Sequence, residues 1–391
     1  MDGKVLEILK KNAMLIILVL VYVFFIIMTK GGMFEPLNFN ALITQNAYVF
    51  VLATGMLMCM LTGGNIDLSC GSFVCFLGAI GGILMTVKQM SPGASIAIML
   101  LVGVIYGCVL GFLIAYVNVP PWIATLAGYL AFRGWGTALL ASASTTGSIS
   151  FAAQKTFLNI FSGKLFSTPV GEFNIPCFVA GIVCCVIVVL VNVVSRATKL
   201  KKGYEAESMV SLIVKSVLSI AAIMLFAVKL AMAGGIPTVL VWVIVIVLVY
   251  SFITSKTTAG RYFYTIGGNA EATRLSGVDT KLIMFLAYLN MAVLTAVTTF
   301  IVTTRFQAAN STAGTNFEMD AIAACVVGGV SAYGGSGNIF GMVIGATLIG
   351  VINLGMSLTG VDANWQKIVK GVVLLAAVVF DIIAAKKNAT K

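Results

Sequence analysis

Twelve apolar runs, each about 17 to 24 residues long and bounded by charge or by Gly/Pro turns, leave this chain little choice of fold. They cover approximately 13–29, 42–62, 70–87, 94–116, 121–141, 176–195, 211–233, 237–255, 282–303, 318–333, 338–359 and 366–385. With 60% of 391 residues hydrophobic, 9% charged and a mean hydropathy of +1.07, no water-soluble core could hide so much apolar surface. The expectation is an all-α polytopic integral membrane protein, one domain over 1–391, with about 10–12 transmembrane helices. Two runs read as broken or re-entrant helices: 318–333 is short, and 121–141 is interrupted by Arg133 and several glycines. Such backbone is tolerated at membrane depth where it lines a cavity. The first run follows Lys10-Lys11 but leads to no A-x-A cleavage pattern, so it reads as a retained helix.

The net charge of +11 would suit nucleic acid only if it formed a basic face on a folded domain, and here the positives are dispersed among short loops. No nucleic-acid partner is therefore expected; the chain's surroundings are membrane lipid. The positives report orientation instead. Four patches, Lys4, Lys10 and Lys11; Arg196, Lys199, Lys201 and Lys202; Lys256, Arg261, Arg274 and Lys281; and Lys386, Lys387 and Lys391, all fall on one side if the chain crosses an even number of times. That side reads as the cytoplasm, with both termini there.

Enzyme chemistry finds little purchase. There is no His, none of the eight cysteines forms a C-x-x-C, and no zinc, haem or iron-sulfur ligand set can be assembled. No metal, cofactor or catalytic residue is expected in this chain. A membrane-bound transferase would need clustered His, Asp or Cys at an interface, which the sequence does not offer. There is also no G-x-x-x-x-G-K-[ST] and no soluble domain to hold a nucleotide, so energy must come from another chain or an ion gradient.

Thr257 to Lys281, TTAGRYFYTIGGNAEATRLSGVDTK, is a polar island between two long apolar runs. Its backbone must lie in water at a membrane face, and Arg261, Arg274 and Lys281 outnumber Glu271 and Asp279. Asn269 can cap a short helix with Glu271 in its first turn and Gly277 as its stop. A plain cytoplasmic loop would look much the same. The wording is more specific: Glu271-Ala272 followed by Gly277 resembles the E-A-A-x-x-x-G coupling loop of permease subunits of ABC importers, with Thr273 in the third place. GRYFYTIGGNAEATRLSGV resembles the permeases that import ribose, xylose and galactose, and this run with an inserted span near 204–236 is most similar to the xylose and multiple-sugar branch. Branched-chain amino acid permeases are more distantly similar. The resemblance implies a type II-like ABC importer permease in a bacterial cytoplasmic membrane. It implies a second copy of the chain, ATPase subunits that bind the ATP on the cytoplasmic side, and a sugar-binding protein outside. Arg261, Gly267, Gly268, Asn269, Glu271, Ala272, Arg274 and Gly277 would form the ATPase-coupling element.

Charges inside a membrane are functional candidates because they cost several kcal/mol unless paired or watered. Asp67 lies in Gly63-Gly64-Asn65-Ile66-Asp67-Leu68-Ser69, where paired glycines break a helix and Asp67 or Ser69 could cap the next one. The same stretch resembles the G-G/N/H-I-D-L-S run of monosaccharide permeases, placing Asn65, Asp67 and Ser69 by the substrate path. Asn118-Val119-Pro120-Pro121-Trp122-Ile123-Ala124-Thr125-Leu126 with Arg133-Gly134 resembles their N-x-P-x-x-I-x-T-L and R-G; Arg133 is either ion-paired with Asp67 or Asp320 or part of a cavity wall. Phe317-Glu318-Met319-Asp320-Ala321-Ile322-Ala323-Ala324 resembles their E-x-x-A-I-A-A run, and upstream Arg305 and Asn310 add the donors and acceptors a polyol needs. Asn65, Asp67, Ser69, Asn118, Arg133, Arg305, Asn310, Glu318 and Asp320 are the candidate path. An ion-coupled secondary transporter is the competing reading, with Asp67, Glu318 and Asp320 as a carboxylate relay that leaves the coupling loop unexplained.

The segments 62–82 and 314–335 are loosely alike, each with an acid after a Gly-containing entry and before a small-residue helix, which hints at a duplicated half. Between 142 and 175 lies the one long outer loop; its Phe151, Phe157, Phe161 and Phe166 suggest a small structure on the outer membrane surface. Glycines at four-residue spacing, such as Gly103, Gly107 and Gly111, suit close helix packing within the chain, with a subunit contact as the alternative for one set.

Overall fold

All twelve apolar runs become helices in a computed structural model that describes residues 13–169, 172–204 and 208–389. The first is α1, Ala13–Met28, followed by α2, Pro36–Leu61. Pro36 opens α2 at a position whose N–H has no partner in any helix. An irregular break leads to α3, Cys70–Gly82, extended by a wide turn over Ile83–Val87, and then to α4, Pro92–Ala115, and α5, Pro121–Ala143. Strand β1, Ser148–Ser150, helix α6, Lys155–Ser162, and strand β2, Lys164–Leu165, precede the long hairpin of α7, Ile175–Lys201, and α8, Met209–Met232. Strand β3, Ile236–Pro237, enters α9, Thr238–Lys256, and two short helices follow, α10, Thr258–Gly268, and α11, Ala270–Leu275. The chain ends with α12, Thr280–Phe306, β4, Ala308–Asn310, α13, Phe317–Val327, α14, Ile339–Leu358, and α15, Ala363–Ala389. Among the described residues, α2, α3 with its extension, α4, α7, α8, α9, α12 and α14 are long and apolar enough to cross a membrane. Helices α1, α5, α13 and α15 occupy the four remaining apolar runs.

Helices α2 and α12 form the centre. From Val49 to Leu61 nearly every α2 side chain is buried, and α12 buries the continuous stretch Thr298–Thr304. A helix that is apolar all round must be surrounded by other helices or by lipid. The hairpin α7–α8 takes the second option: α8 buries only Ala227, Leu230 and Ala231. Gly103, Gly107 and Gly111 of α4 lie against Ala296, Leu289 and Phe285 of α12, so this glycine stripe packs helices within the chain.

The centre has an inverted symmetry that accounts for the two similar segments. Helix α2 ends, and α12 begins, on the face carrying α10 and α11. Each is followed by a break, 62–69 or 307–316, and by a helix turning back, α3 or α13. The short span 318–333 is thus a broken helix, as its length suggests. On the opposite face β1 pairs antiparallel with β4, Ser148 against Asn310, and β2 with β3, Lys164 against Pro237. These ladders satisfy backbone groups that would otherwise be orphaned near the membrane.

One expectation needs correction. The run 121–141 is not broken: α5 is continuous, because Arg133 is accommodated by backbone acceptors described below and Gly136 lies against Cys75 and Phe76. The aromatic loop packs inward. Phe151, Phe157 and Phe161 are buried against the bundle, Phe161 stacking on Trp242, and only Phe166 is exposed. Burying them removes most of a large apolar area from water, which a surface position would do only in part. The terminal basic patches, Lys4 to Lys11 and Lys386 to Lys391, fall outside the residues whose side chains are described.

Candidate functional site

The first turn of α3 meets the second break inside the bundle at Gly71 and Gly314. A Cβ on Gly71 would collide with the Gly314 carbonyl and with Glu318 Oε2, and a Cβ on Gly314 would collide with the Gly71 carbonyl. The lack of side chains at both positions is what lets the N-termini of α3 and α13 face each other at this depth.

Around that contact sits a set of buried polar groups. Asp67 is 1% exposed, and its Oδ1 accepts the Ser69 N–H at 2.8 Å and the Ser69 hydroxyl at 2.5 Å. Tyr106 donates in turn to Ser69 Oγ at 2.6 Å, and Tyr288 to the Ile66 carbonyl at 3.4 Å. Neither Asp67 nor Ser69 caps α3 through its side chain, a correction to the cap expectation; Asp67 instead ties the break to itself and, through Ser69, to α4. Asn65 donates to the Thr62 carbonyl at 3.1 Å and to Met284 Sδ of α12 at 3.6 Å, tying the first break to α12.

Arg133 reaches this layer from α5 and pairs with neither Asp67 nor Asp320. Its Nη1 donates to the backbone carbonyls of Ser311 at 3.1 Å and Ala313 at 2.8 Å, holding the second break from the side. Asp320 has other partners: Lys370 Nζ lies 2.9 Å from Oδ1, and Tyr48 donates to Oδ2 at 2.5 Å while its ring stacks on Phe317 at 3.8 Å. Glu318 is 3% exposed, and its Oε2 has no donor among the described residues. Asp67, Ser69, Arg133, Glu318 and Asp320 are thus brought to the two breaks. Their partners Tyr48, Tyr106 and Lys370 escaped sequence reasoning; Lys370, a cation inside the last apolar run, is the one that carried a readable signal.

Toward the opposite face, a cavity of about 230 Å³ is lined by Asn40, Thr44, Lys164, Thr304, Arg305 and Gln307 among others. Arg305 is half-buried, with its guanidinium 4.9 Å from the Phe306 ring centre. Asn310 lies on the neighbouring β4, accepting from Thr312 Oγ1 at 3.0 Å. Asn118 belongs to none of these groups. It occupies an exposed turn between α4 and α5 at φ +62°.

On the face of α10 and α11, Thr257 caps α10 by accepting the Gly260 N–H at 3.0 Å, and Asn269 caps α11 by accepting the Ala272 N–H at 2.9 Å. Gly277, at φ +85°, ends the turn after α11. Arg261, Gly268, Glu271, Ala272, Arg274 and Leu275 are exposed. Arg274 pairs with Glu271 at 2.6 Å, and this hydrogen bonding and charge hold the Glu271 carboxyl below its usual range. Gly267 faces the other way. A Cβ there would collide with the Leu61 carbonyl and the Gly335 nitrogen, and Gly335 itself donates to Leu61 at 3.1 Å. One short helical segment therefore touches the end of α2, where the first break starts, and the loop that follows α13.

Known proteins show the same pattern of chain. The family of branched-chain amino acid transport system permease components matches residues 38–378. The xylose transport system permease protein XylH of Haemophilus influenzae is 34% identical over 375 residues, covering 96% of this chain and 96% of its own. The Escherichia coli K12 protein of that name is 31% identical over 378 residues, covering 96% and 92%. The ribose import permease protein RbsC of the same strain is 29% identical over 376 residues, covering 95% and 94%. No solved structure matches. With a family match that runs from the first turn of α2 into α15 and relatives aligned nearly end to end, this chain belongs to the branched-chain amino acid transport system permease component family of multi-pass membrane transport proteins.

Proposed function

We propose that this chain is the membrane-spanning subunit of an ATP-driven importer for xylose or a closely related monosaccharide, working by alternating access. The observation that carries the reading is the position of Gly267, wedged between Leu61 and Gly335 while Glu271, Arg274 and Leu275 of the same segment face water. In this reading Arg261, Gly267, Gly268, Asn269, Glu271, Ala272, Arg274 and Gly277 seat an ATPase subunit, which alone binds and hydrolyses ATP. Movement of α11 reaches Leu61 and Gly335 and shifts α3 and α13 against each other at Gly71 and Gly314. Asp67, Ser69, Arg133, Glu318 and Asp320 keep the breaks ordered during that shift. Arg305 and Asn310 wet the path toward the opposite face, where a sugar-binding protein docks, and a second copy of the chain completes the channel. The α10–α11 face is cytoplasmic, as are both termini, in a bacterial inner membrane.

The sugar assignment is supported by the names of the relatives that cover 96% of the chain. The matched family is named for branched-chain amino acid transport, while the relatives aligned nearly end to end are named for xylose and ribose. Amides and hydroxyls in the opposite-face cavity, Asn40, Thr44, Thr304 and Gln307, suit a polyol better than an aliphatic side chain. The test is uptake into liposomes that hold this chain, its ATPase and its binding protein. Xylose uptake that needs ATP and is not inhibited by leucine is expected. Uptake driven by a proton or sodium gradient with no ATPase present would overturn the reading.

A further inference from the structure

One buried acid at the two breaks lacks what the others have. Asp320 has Lys370 as its counter-ion, and Asp67 accepts two hydrogen bonds from Ser69 on its Oδ1. Glu318 has neither, and no described residue donates to its Oε2. Arg133 is the cation on that side, but its Nη1 is occupied by the Ser311 and Ala313 carbonyls and its Nη2 has no hydrogen-bond partner among the described residues. The other groups around Glu318 do not compensate a charge on it: they are the acids Asp67 and Asp320, the Tyr48 hydroxyl and the Cys70 thiol. From α15, Lys370 is engaged by Asp320. Helix α14, packed on the other side of α13, has no titratable side chain over Ile339–Leu358.

The oxygen that lacks a donor also faces an acceptor. A methyl carbon on Gly71 would lie 2.2 Å from Glu318 Oε2 and 2.2 Å from the Gly314 carbonyl oxygen, so the two oxygens are no more than twice that distance apart. Two such oxygens side by side in a buried place repel unless a hydrogen lies between them. An ionised carboxylate has no hydrogen to give, whereas a protonated one is both neutral and a donor. The Gly314 carbonyl accepts the Phe317 N–H at 3.3 Å and keeps a second lone pair. A buried carboxylate without a partner is costly enough that it takes up a proton instead. Asp67, served by a hydroxyl and an N–H of Ser69, is the acid of the two equipped to keep its charge.

We infer that Glu318 is a neutral carboxylic acid in the folded protein, that it donates its Oε2 proton to the Gly314 carbonyl, and that this bond closes the second break into the turn on which α3 packs at Gly71. Glu318 is thus a positioning residue that works through a proton and not through its charge. The requirement for glycine at position 71 has the same origin, since a methyl group there would stand against both oxygens of the bond.

Infrared spectroscopy of the full chain in detergent at about pH 7, where exposed carboxyls are ionised, tests this. The wild type should show the carbonyl stretch of a protonated carboxylic acid, shifted by exchange into heavy water. That band should be lost in Glu318→Gln and kept in Asp67→Asn. Glutamine retains a donor at this place, so Glu318→Gln should melt with the wild type, whereas Glu318→Met, which has none, should melt lower. Resting on the transport reading above, uptake should likewise follow the donor and not the charge, retained in Glu318→Gln and lower in Glu318→Met. The band is read on the chain alone, without ATPase or binding protein, so its absence would strike this inference and leave that reading standing. No band in the wild type, a band that survives Glu318→Gln, a band that disappears in folded Asp67→Asn, or equal melting of the glutamine and methionine variants would overturn the inference.

Discussion

Lys370 of α15 lies 2.9 Å from Asp320 of α13, and the same carboxylate accepts a 2.5 Å hydrogen bond from Tyr48 of α2. The pair pins the broken helix α13 between the last helix and the centre. Breaking a buried pair leaves one charge uncompensated, whereas replacing both partners is far milder.

Lys370→Met should therefore destabilise the folded protein by about 3 kcal/mol, and Asp320→Asn by a similar amount. In the double variant much of that loss should return, because no charge is left alone. Thermal unfolding in detergent measures all three. Strict additivity of the two single losses would show that the residues do not act as a pair.

Gly71→Ala places a methyl group against the Gly314 carbonyl of the second break and against Glu318 of α13. Overpacking of this kind costs about 1–3 kcal/mol. Gly134→Ala on α5 is the control, since a Cβ there meets nothing within 4 Å, and alanine should stabilise the helix by about 0.5–1 kcal/mol. Opposite shifts in melting temperature are expected; shifts of the same sign would mean that α3 and the second break are not in close contact.

Gly267→Ala tests transmission. Its methyl group would push α10 off Leu61 and Gly335, whereas Gly268→Ala points into open space. In liposomes containing ATPase and binding protein, Gly267→Ala should lower sugar uptake about tenfold or more while the ATPase still co-purifies. Gly268→Ala, on the docking side, adds no clash with Leu61 or Gly335, so any loss should appear as weaker ATPase co-purification and not as lower uptake per retained ATPase. Equal uptake by both variants would rule out Gly267 as the contact through which motion passes.

Much of this architecture was legible in the chain because membrane spans are selected by apolar length, which sequence states directly. All twelve runs formed helices, and Asn269, Gly277 and the breaks at 62–69 and 307–316 announced themselves through cap residues, glycines and polar interruptions. Partner choice was not legible. Arg133 satisfies itself on backbone carbonyls 178 and 180 residues away, an option that no residue type advertises. Nor could the sequence tell that three loop phenylalanines turn inward, because an aromatic is equally apolar against lipid or protein. Asn118, placed on the path by a resemblance in wording, lies on an exposed turn between α4 and α5.

Arg133→Lys follows from that backbone contact. A lysine keeps the charge, but its ammonium ends one bond short of the Nη1 that donates to both the Ser311 and Ala313 carbonyls, so the loss should be about 1.5–3 kcal/mol, the worth of charged hydrogen bonds. Rescue by charge alone in the melting curve would make Arg133 a simple electrostatic partner of Glu318.

Glu271 separates docking from folding. It is exposed, and its bond to Arg274 is the kind of surface pair that contributes little to stability. Glu271→Gln should melt like the wild type yet retain less ATPase on co-purification. The pH dependence carries a sign. Arg274 holds the folded carboxyl below its usual value, so any stability from the pair is present above the unfolded pKa and is lost only as pH falls through the lower, folded one. Between about pH 8 and pH 5 the charge on Glu271 is constant. ATPase retention by the wild type should accordingly stay flat across that range while the variant is weaker throughout. A wild-type curve that falls toward the variant's level as pH drops from about 7 to 5 would assign the docking charge to a group that titrates higher than Glu271.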